Sequence, residues 1–327
     1  MKETRRSLLC RTFCAAATPI IPLMASAQTT NWPTKAVRIV VPFPPGGAID
    51  TMIRAMAPDL TESLGQAVII ENKPGAGGVL GTESVLRAND GHTLLMTAMG
   101  HTLYPELNPG LKFDPLDDFK PITSIGVVPN VVVVPADSPF NNLGDLIRYA
   151  KRHPGKLTYG SAGNGTSLHL TAALFMNQAG IDVQHVPYKG SEPAVTDLVA
   201  GRIDMMFDSS TSASSFIAAK KLKALAVAAT DPSPLLPGVP TIAQSGVPEY
   251  KIRWWYGLLA PSSLSDAAVD RVNEAVQKAW TDPELIQRFA NIRVEPLKMT
   301  RKDFSSMVKA DRSFWKQRIP ELGIKPS

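Results

Sequence analysis

Val40-Val41-Pro42-Phe43-Pro44-Pro45-Gly46-Gly47-Ala48-Ile49-Asp50 begins as an apolar strand, turns through two glycines and opens a helix. Ile49, Met52, Ile53, Met56, Ala57, Leu60 and Leu64 recur at the intervals of one helix face, and Gly65 closes it. Pro58 lies inside that stretch, where a missing N–H and a ring clash predict a kink. The same design returns in the second half of the chain. Leu157 to Ser161 reads as a strand, Ala162-Gly163-Asn164-Gly165 as a turn, and Leu168, Thr171, Ala172, Phe175, Met176 and Ala179 as one face of a helix ending at Gly180. Strands alternating with helices predict an α/β architecture built on parallel sheets.

Further elements follow the same alternation. Val68 to Ile70 and Thr93 to Ala98 are short buried strands, separated by Gly75 to Gly78 and a helix reaching Ala88. Residues 104–121 read as irregular, and Ile122 to Val134 as one long extended run that can leave one domain and enter another. Val183 to Tyr188, Ile203 to Phe207 and Lys223 to Ala229 are strands of the second half, with Ser191 as the N-cap of an intervening helix. Arg253 to Pro261 is a second crossing, and Ser265, Asp282 and Thr300 open three C-terminal helices. The expected lobes are residues 28–125 with 252–327, and residues 126–251.

Lys2, Arg5 and Arg6, the apolar stretch from Ser7 to Met24 and Ala25-Ser26-Ala27 have the form of an export signal over residues 1–27, cleaved near Ala27. Arg5-Arg6-Ser7-Leu8-Leu9 also resembles a twin-arginine signal, so either export route fits. The leader holds three of the five net positive charges and both cysteines, Cys10 and Cys14. A nearly balanced mature chain excludes bulk-charge binding to nucleic acid or anionic membranes. It also lacks a disulfide, a thiolate nucleophile and a cysteine metal site. No other run approaches the length of a membrane span.

Each glycine turn ends at a helix N-terminus, where first-turn amides lack intrahelical partners and the dipole favours an anion. One such turn per lobe makes two half-cradles for a single carboxylate. The candidate contacts are Phe43, Gly46, Gly47, Ala48, Ile49 and Asp50 from one lobe. From the other come Ser161, Gly163, Asn164, Gly165, Thr166 and Ser167, with Tyr188 and Asp208 at later strand ends. Neither turn is a nucleotide motif, and no cofactor is implied. Ser161 or Ser167 with His169 could be drawn as a hydrolytic triad, but no Gly-x-Ser-x-Gly occurs. His92, His101, His153 and His185 are scattered without metal-ligand spacing.

Eight blocks in one order carry a family resemblance. They are Trp32-Pro33, Pro42 to Gly47 with Asp50, Leu64-Gly65-Gln66, Glu71-Asn72-Lys73-Pro74-Gly75-Ala76-Gly77-Gly78, Tyr159 to Gly165, Pro187-Tyr188-Lys189-Gly190, Asp197-Leu198 and Val239-Pro240-Thr241. In these the chain resembles the Bug/TctC receptors of tripartite tricarboxylate transporters. The resemblance implies a two-lobed, type II periplasmic-binding fold that closes on its guest like a flytrap and does no catalysis. It implies capture of a small carboxylate for the transporter's membrane components; separately, the chain is expected to be a monomer, and presentation of the guest to a membrane sensor is the alternative output. On this chain it implies that the Phe43–Asp50 and Ser161–Ser167 loops anchor the carboxylate. Ala98, Gly100, His101, Tyr188 and Asp208 would then set selectivity. Ile49 stands where the family often has a small polar residue, which removes a hydroxyl donor.

Overall fold

The computed structural model describes residues 32–324. The expected export signal and both cysteines lie outside the described residues. In chain order the elements are β1 (Val37–Val41), α1 (Ala48–Leu64), β2 (Val68–Asn72), α2 (Val79–Ala88), β3 (Thr93–Ala98), α3 (Tyr104–Leu107), β4 (Phe119–Val127) and β5 (Asn130–Pro135). Next come α4 (Leu143–Arg152), β6 (Thr158–Ser161), α5 (Ser167–Ala179), β7 (Gln184–Pro187), α6 (Ser191–Val199), β8 (Met205–Ser209), α7 (Ser210–Ala218) and β9 (Leu222–Ala228). The chain ends with β10 (Trp255–Pro261), α8 (Asp266–Ala279), α9 (Pro283–Asn291), β11 (Glu295–Pro296) and α10 (Arg301–Glu321).

Two sheets result, in the orders β11-β4-β10-β3-β1-β2 and β7-β6-β8-β5-β9. β1 pairs in parallel with β2 and β3, and β6 with β7 and β8. The expectation of parallel sheets needs correcting, because the crossing strands run the other way. β10 lies antiparallel between β3 and β4, and β5 antiparallel between β8 and β9.

The alternation of strand side chains fixes the layers. Val37, Ile39 and Val41 face α1, α8 and α9, while Val40 points into a second cluster with Val85 and Phe304. That second cluster runs on into the other sheet through Val132, Tyr159, Phe175 and Phe207. Met206, Val131 and Val133 face a third cluster under α6 and α7. One continuous core therefore joins the two lobes, and each sheet carries helices on both faces.

Several sequence expectations change in detail. α1 runs unbroken through Pro58. The extended run from Ile122 to Val134 is two strands in different sheets, divided at Val128-Pro129. Residues 104–121 include the single-turn α3. Gly190, not Ser191, occupies the N-cap of α6, because the Ser191 hydroxyl is donated to Asp208 Oδ1 (2.7 Å). α4 and α7 are two helices beyond those expected from the sequence. α4 is capped by the Asn142 side chain, which accepts from the Asp145 amide. α7 is capped in the same way by Ser209.

Candidate ligand-binding site

The first turn follows β1 and ends at α1, whose N-cap Gly47 has no side chain to satisfy the helix. The amides of Ala48, Ile49 and Asp50 therefore open toward the turn without intrahelical partners. Asp50 is only 3 % exposed and clasps the turn together. Its Oδ2 accepts from the Gly46 amide (2.9 Å), and its Oδ1 accepts from Arg54 Nε (2.9 Å) and Asn72 Nδ2 (3.0 Å). Asn72 also donates to the Phe43 carbonyl at 3.1 Å. Burial raises the Asp50 carboxyl, but the bonds from Arg54, Gly46 and Asn72 outweigh it and hold it below its ordinary value. The Gly46 amide, expected as a donor to a guest, is thus used inside the turn.

Phe43 meets the rest of its lobe at Gly78. A Cβ built on Gly78 would stand 3.3 Å from the Phe43 ring and 2.3 Å from the Tyr104 hydroxyl. That hydroxyl fills the space a side chain would need and donates to the Gly77 carbonyl (3.2 Å). α3 is thereby fixed beside the first turn.

The second turn is tied from within. Ser161 is buried; its Oγ lies 2.6 Å from His185 Nε2 and accepts from the Gly163 amide (3.1 Å). The Gly165 amide donates to His169 Nδ1 (3.0 Å). The Thr166 hydroxyl donates to the Gly163 carbonyl (2.7 Å) and accepts from the His169 amide (3.4 Å), capping α5. Gly163 and Gly165 have φ of 122° and 74°, conformations that only glycine adopts without strain. Their amides, like that of Gly46, serve the turn itself. The amides of Ser167 and Leu168, at the first two positions of α5, lie before the capped His169 and have no partner within the helix. Asn164 stands at the tip, between the two positive-φ glycines.

Imidazoles buttress this turn. His169 stacks on His185 with centroids 4.3 Å apart and planes 5° apart, and His185 stacks on Tyr159 at 4.7 Å. Burial holds His169 below its ordinary value. Burial and then the nearby His169 take His185 down to about 4. Both are neutral near pH 7, so His169 Nδ1 can accept the Gly165 N–H. A hydrolytic drawing would need Ser161 or Ser167 beside His169; the structure sets Ser161 against His185 instead, and that ring is faced by a second imidazole rather than a carboxylate.

The remaining candidates separate into wall and core. Ala98 and Gly100 are half-buried at the carboxyl end of β3. His101 is 1 % exposed inside an aromatic cage of Tyr104, Phe113 and Phe119, with Nε2 3.0 Å from the Pro115 carbonyl. Burial holds it down to about 4, so it is a neutral core residue. The Tyr188 hydroxyl donates to Asp197 (2.8 Å), and the Tyr188 backbone carbonyl lies 3.2 Å from the Cβ position of Gly163 in the second turn. Asp208 is buried at the end of β8, where burial pushes its carboxyl up against the pull of Ser191, Ser212 and Ser209. Among the described residues no cluster of His, Cys, Asp or Glu could hold a metal, and no helix is long and apolar enough to cross a membrane.

The two turns meet through α3. One turn of helix after Tyr104, Leu107 places its Cδ1 3.6 Å from the Cβ position of Gly165. Contacts therefore run from Phe43 through Gly78 and Tyr104 to Leu107 and the second turn. The sequence reading missed Leu107, Asn72 and His185. Asn72 was within reach, since it ends the strand beside β1 on the edge where ligands of open α/β sheets sit. His185 and Leu107 are brought in by tertiary packing alone.

Residues 52–324 match the family described as tripartite tricarboxylate transporter family receptor. A protein from the tcbD-tcbE intergenic region of a Pseudomonas species is 39% identical over 295 residues, covering 90% of this chain and 88% of its own. A structure from R. palustris solved with adipate superposes with a TM-score of 0.78 at 32% identity, over 90% of this chain and 100% of that one. MatC from Rhodopseudomonas palustris, with bound malate, gives 0.73 at 30% identity, over 88% of this chain and 99% of that one. The chain belongs to this family of solute-binding receptors, which are not enzymes.

Proposed function

We propose that this member of the tripartite tricarboxylate transporter receptor family closes its two lobes on a small carboxylate in the periplasm and hands it to the transporter's membrane components. The observation that carries the reading is the pair of open first-turn amides, Ala48-Ile49 of α1 and Ser167-Leu168 of α5, joined across the lobes by Leu107 against Gly165. A carboxylate taken out of water must receive several hydrogen bonds to offset its lost hydration. Main-chain amides at two helix N-termini supply them without burying a counter-charge. Gly47 and Asn164 complete the cradles, Phe43 and Leu107 wall them, and Ala98, Gly100 and Tyr188 border the distal end. Asp50, Ser161, Gly163 and Gly165 act by shaping the turns.

The relatives solved with adipate and with malate favour a dicarboxylate. The lobes divide at Val128-Pro129 and again at Lys251-Ile252-Arg253, the first a little past the expected 125/126 boundary. The leader over residues 1–27 delivers the mature chain to the periplasm. Transport rather than sensing is favoured because the matching family is named for its transporter.

Thermal melting of ligand-stripped protein against mono-, di- and tricarboxylates, each beside its amide, tests this. Binding to the folded state raises the melting temperature by mass action. Diacids are expected to raise it and the matching diamides to leave it unmoved. Equal shifts for acid and amide, or a flat response to every acid, would overturn the reading.

A further inference from the structure

Both chain crossings converge on one buried residue, the first on its hydroxyl and the second on its backbone carbonyl. The first crossing passes from β4 through Val128-Pro129 to Asn130, whose Nδ2 donates to Thr171 Oγ1 (2.9 Å). Before the second crossing stands Tyr250, whose hydroxyl donates to the Thr171 carbonyl (3.2 Å). The Thr171 hydroxyl in turn donates to the Ser167 carbonyl (2.6 Å). Ser167 is the first residue of α5, so Thr171 links the second turn to both routes between the lobes.

The far ends of the crossings are held by the first lobe. Val127 pairs with Trp255 and Glu295. The Trp255 indole donates to Asp311 on α10 (2.6 Å), and Trp254 packs on Trp315 of the same helix. Between these anchors and Thr171 lie only Val128-Pro129 on one route and Lys251-Ile252-Arg253 on the other. A rotation about those short segments must carry α5 with it.

We propose that Thr171 is a positioning residue that locks the second turn to both crossings, so that the lobe angle and the turn's amide donors move as one unit. This rests on the capture reading above and adds its control point. Thr171, Asn130 and Tyr250 are 0 %, 4 % and 0 % exposed, so none of the three reaches a guest from solvent. A threonine hydroxyl has one proton and two lone pairs; here it gives the proton to Ser167 and takes one from Asn130. A buried hydroxyl satisfied by its own helix would serve stability alone. Here the hydroxyl also takes a bond from Asn130 at the first crossing, and the carbonyl of the same residue takes one from Tyr250 beside the second.

Spin labels report the lobe angle with no solute present. With Cys10→Ser and Cys14→Ser, nitroxides are attached at Arg87→Cys on α2 and Lys151→Cys on α4, both exposed positions. The unaltered lock is expected to give one narrow interlobe distance distribution, and Thr171→Ser to reproduce it. Thr171→Val and Tyr250→Phe are expected to broaden and shift it while circular dichroism stays native. Should Thr171→Val fail to fold, Tyr250→Phe removes only a hydroxyl and carries the test. An unchanged distribution in the folded variants, even with a lower melting temperature, would overturn the proposal and leave Thr171 a packing residue. Because these distances are read without solute, that result is separable from a failed carboxylate panel.

Discussion

Leu107 and Gly165 face each other across the gap between the lobes, the Leu107 methyl 3.6 Å from where a Cβ on Gly165 would sit. That distance is ordinary contact, so the glycine is required by its backbone and not by crowding. With φ at 74°, an L-residue there costs about 1–2 kcal/mol. Gly165→Ala is expected to lower unfolding free energy by about that amount in urea. The loss should be the same in a Leu107→Ala background. A loss that vanishes there would mean steric conflict instead.

Gly81 presents the opposite case. It lies inside α2, where propensity alone makes alanine better by about 1 kcal/mol. A Cβ there would meet the Lys73 carbonyl at 2.5 Å and Pro42 at 2.7 and 2.8 Å. Those are backbone and ring atoms that cannot swing aside. Gly81→Ala is expected to destabilise by about 1–3 kcal/mol, read as a lower urea midpoint.

Asp50 predicts a pH dependence. Its folded carboxyl titrates below the ordinary value of 3.8, so its contribution is present above that pH and fades as pH falls through the folded value. Asp50→Asn should unfold more easily than wild type at pH 7, with the difference shrinking below pH 4. Loosening the Gly46 turn should also weaken carboxylate binding, measured by calorimetry at pH 7.

Asp311 has the reverse sign. Burial pushes its carboxyl up to about 6, against the Trp255 N–H that pulls it down. The ionised form is therefore disfavoured by folding, and stability falls as pH rises from 3.8 to about 6. Asparagine keeps an acceptor for Trp255 and cannot ionise. Asp311→Asn is expected to gain up to about 3 kcal/mol at pH 8, and the gain should disappear toward pH 4. Melting curves at the two pH values decide it.

The periodic parts of the fold were legible because burial wrote them into the residues. The α1 face from Ile49 to Leu64 and the strand from Thr93 to Ala98 appear where their patterns put them. α7 was hidden because Ser210-Thr211-Ser212 and Ser214-Ser215 are weak helix formers, held by the Ser209 cap and by Ala213 in the core. The run from Ile122 to Val134 carries Gly126 and Pro129 as breaks in the sequence, and the two strands part at Val128-Pro129. Within the site, sequence located the two turns but not which of their amides stay open. That depends on Asp50, His185 and His169 returning to bond the glycine loops, a matter of three-dimensional closure.

The central place of β10 between β3 and β4 bears on how the molecule is made. Residues 130–228 supply every strand of the second sheet, so that half can assemble as soon as it has been synthesised. The amino-terminal half cannot. Its sheet has a missing middle until Trp255 to Pro261 arrive, long after β1 to β4 have been made. The first-made strands must wait with unpaired edges while their neighbour folds, which is when aggregation threatens and holding chaperones matter most.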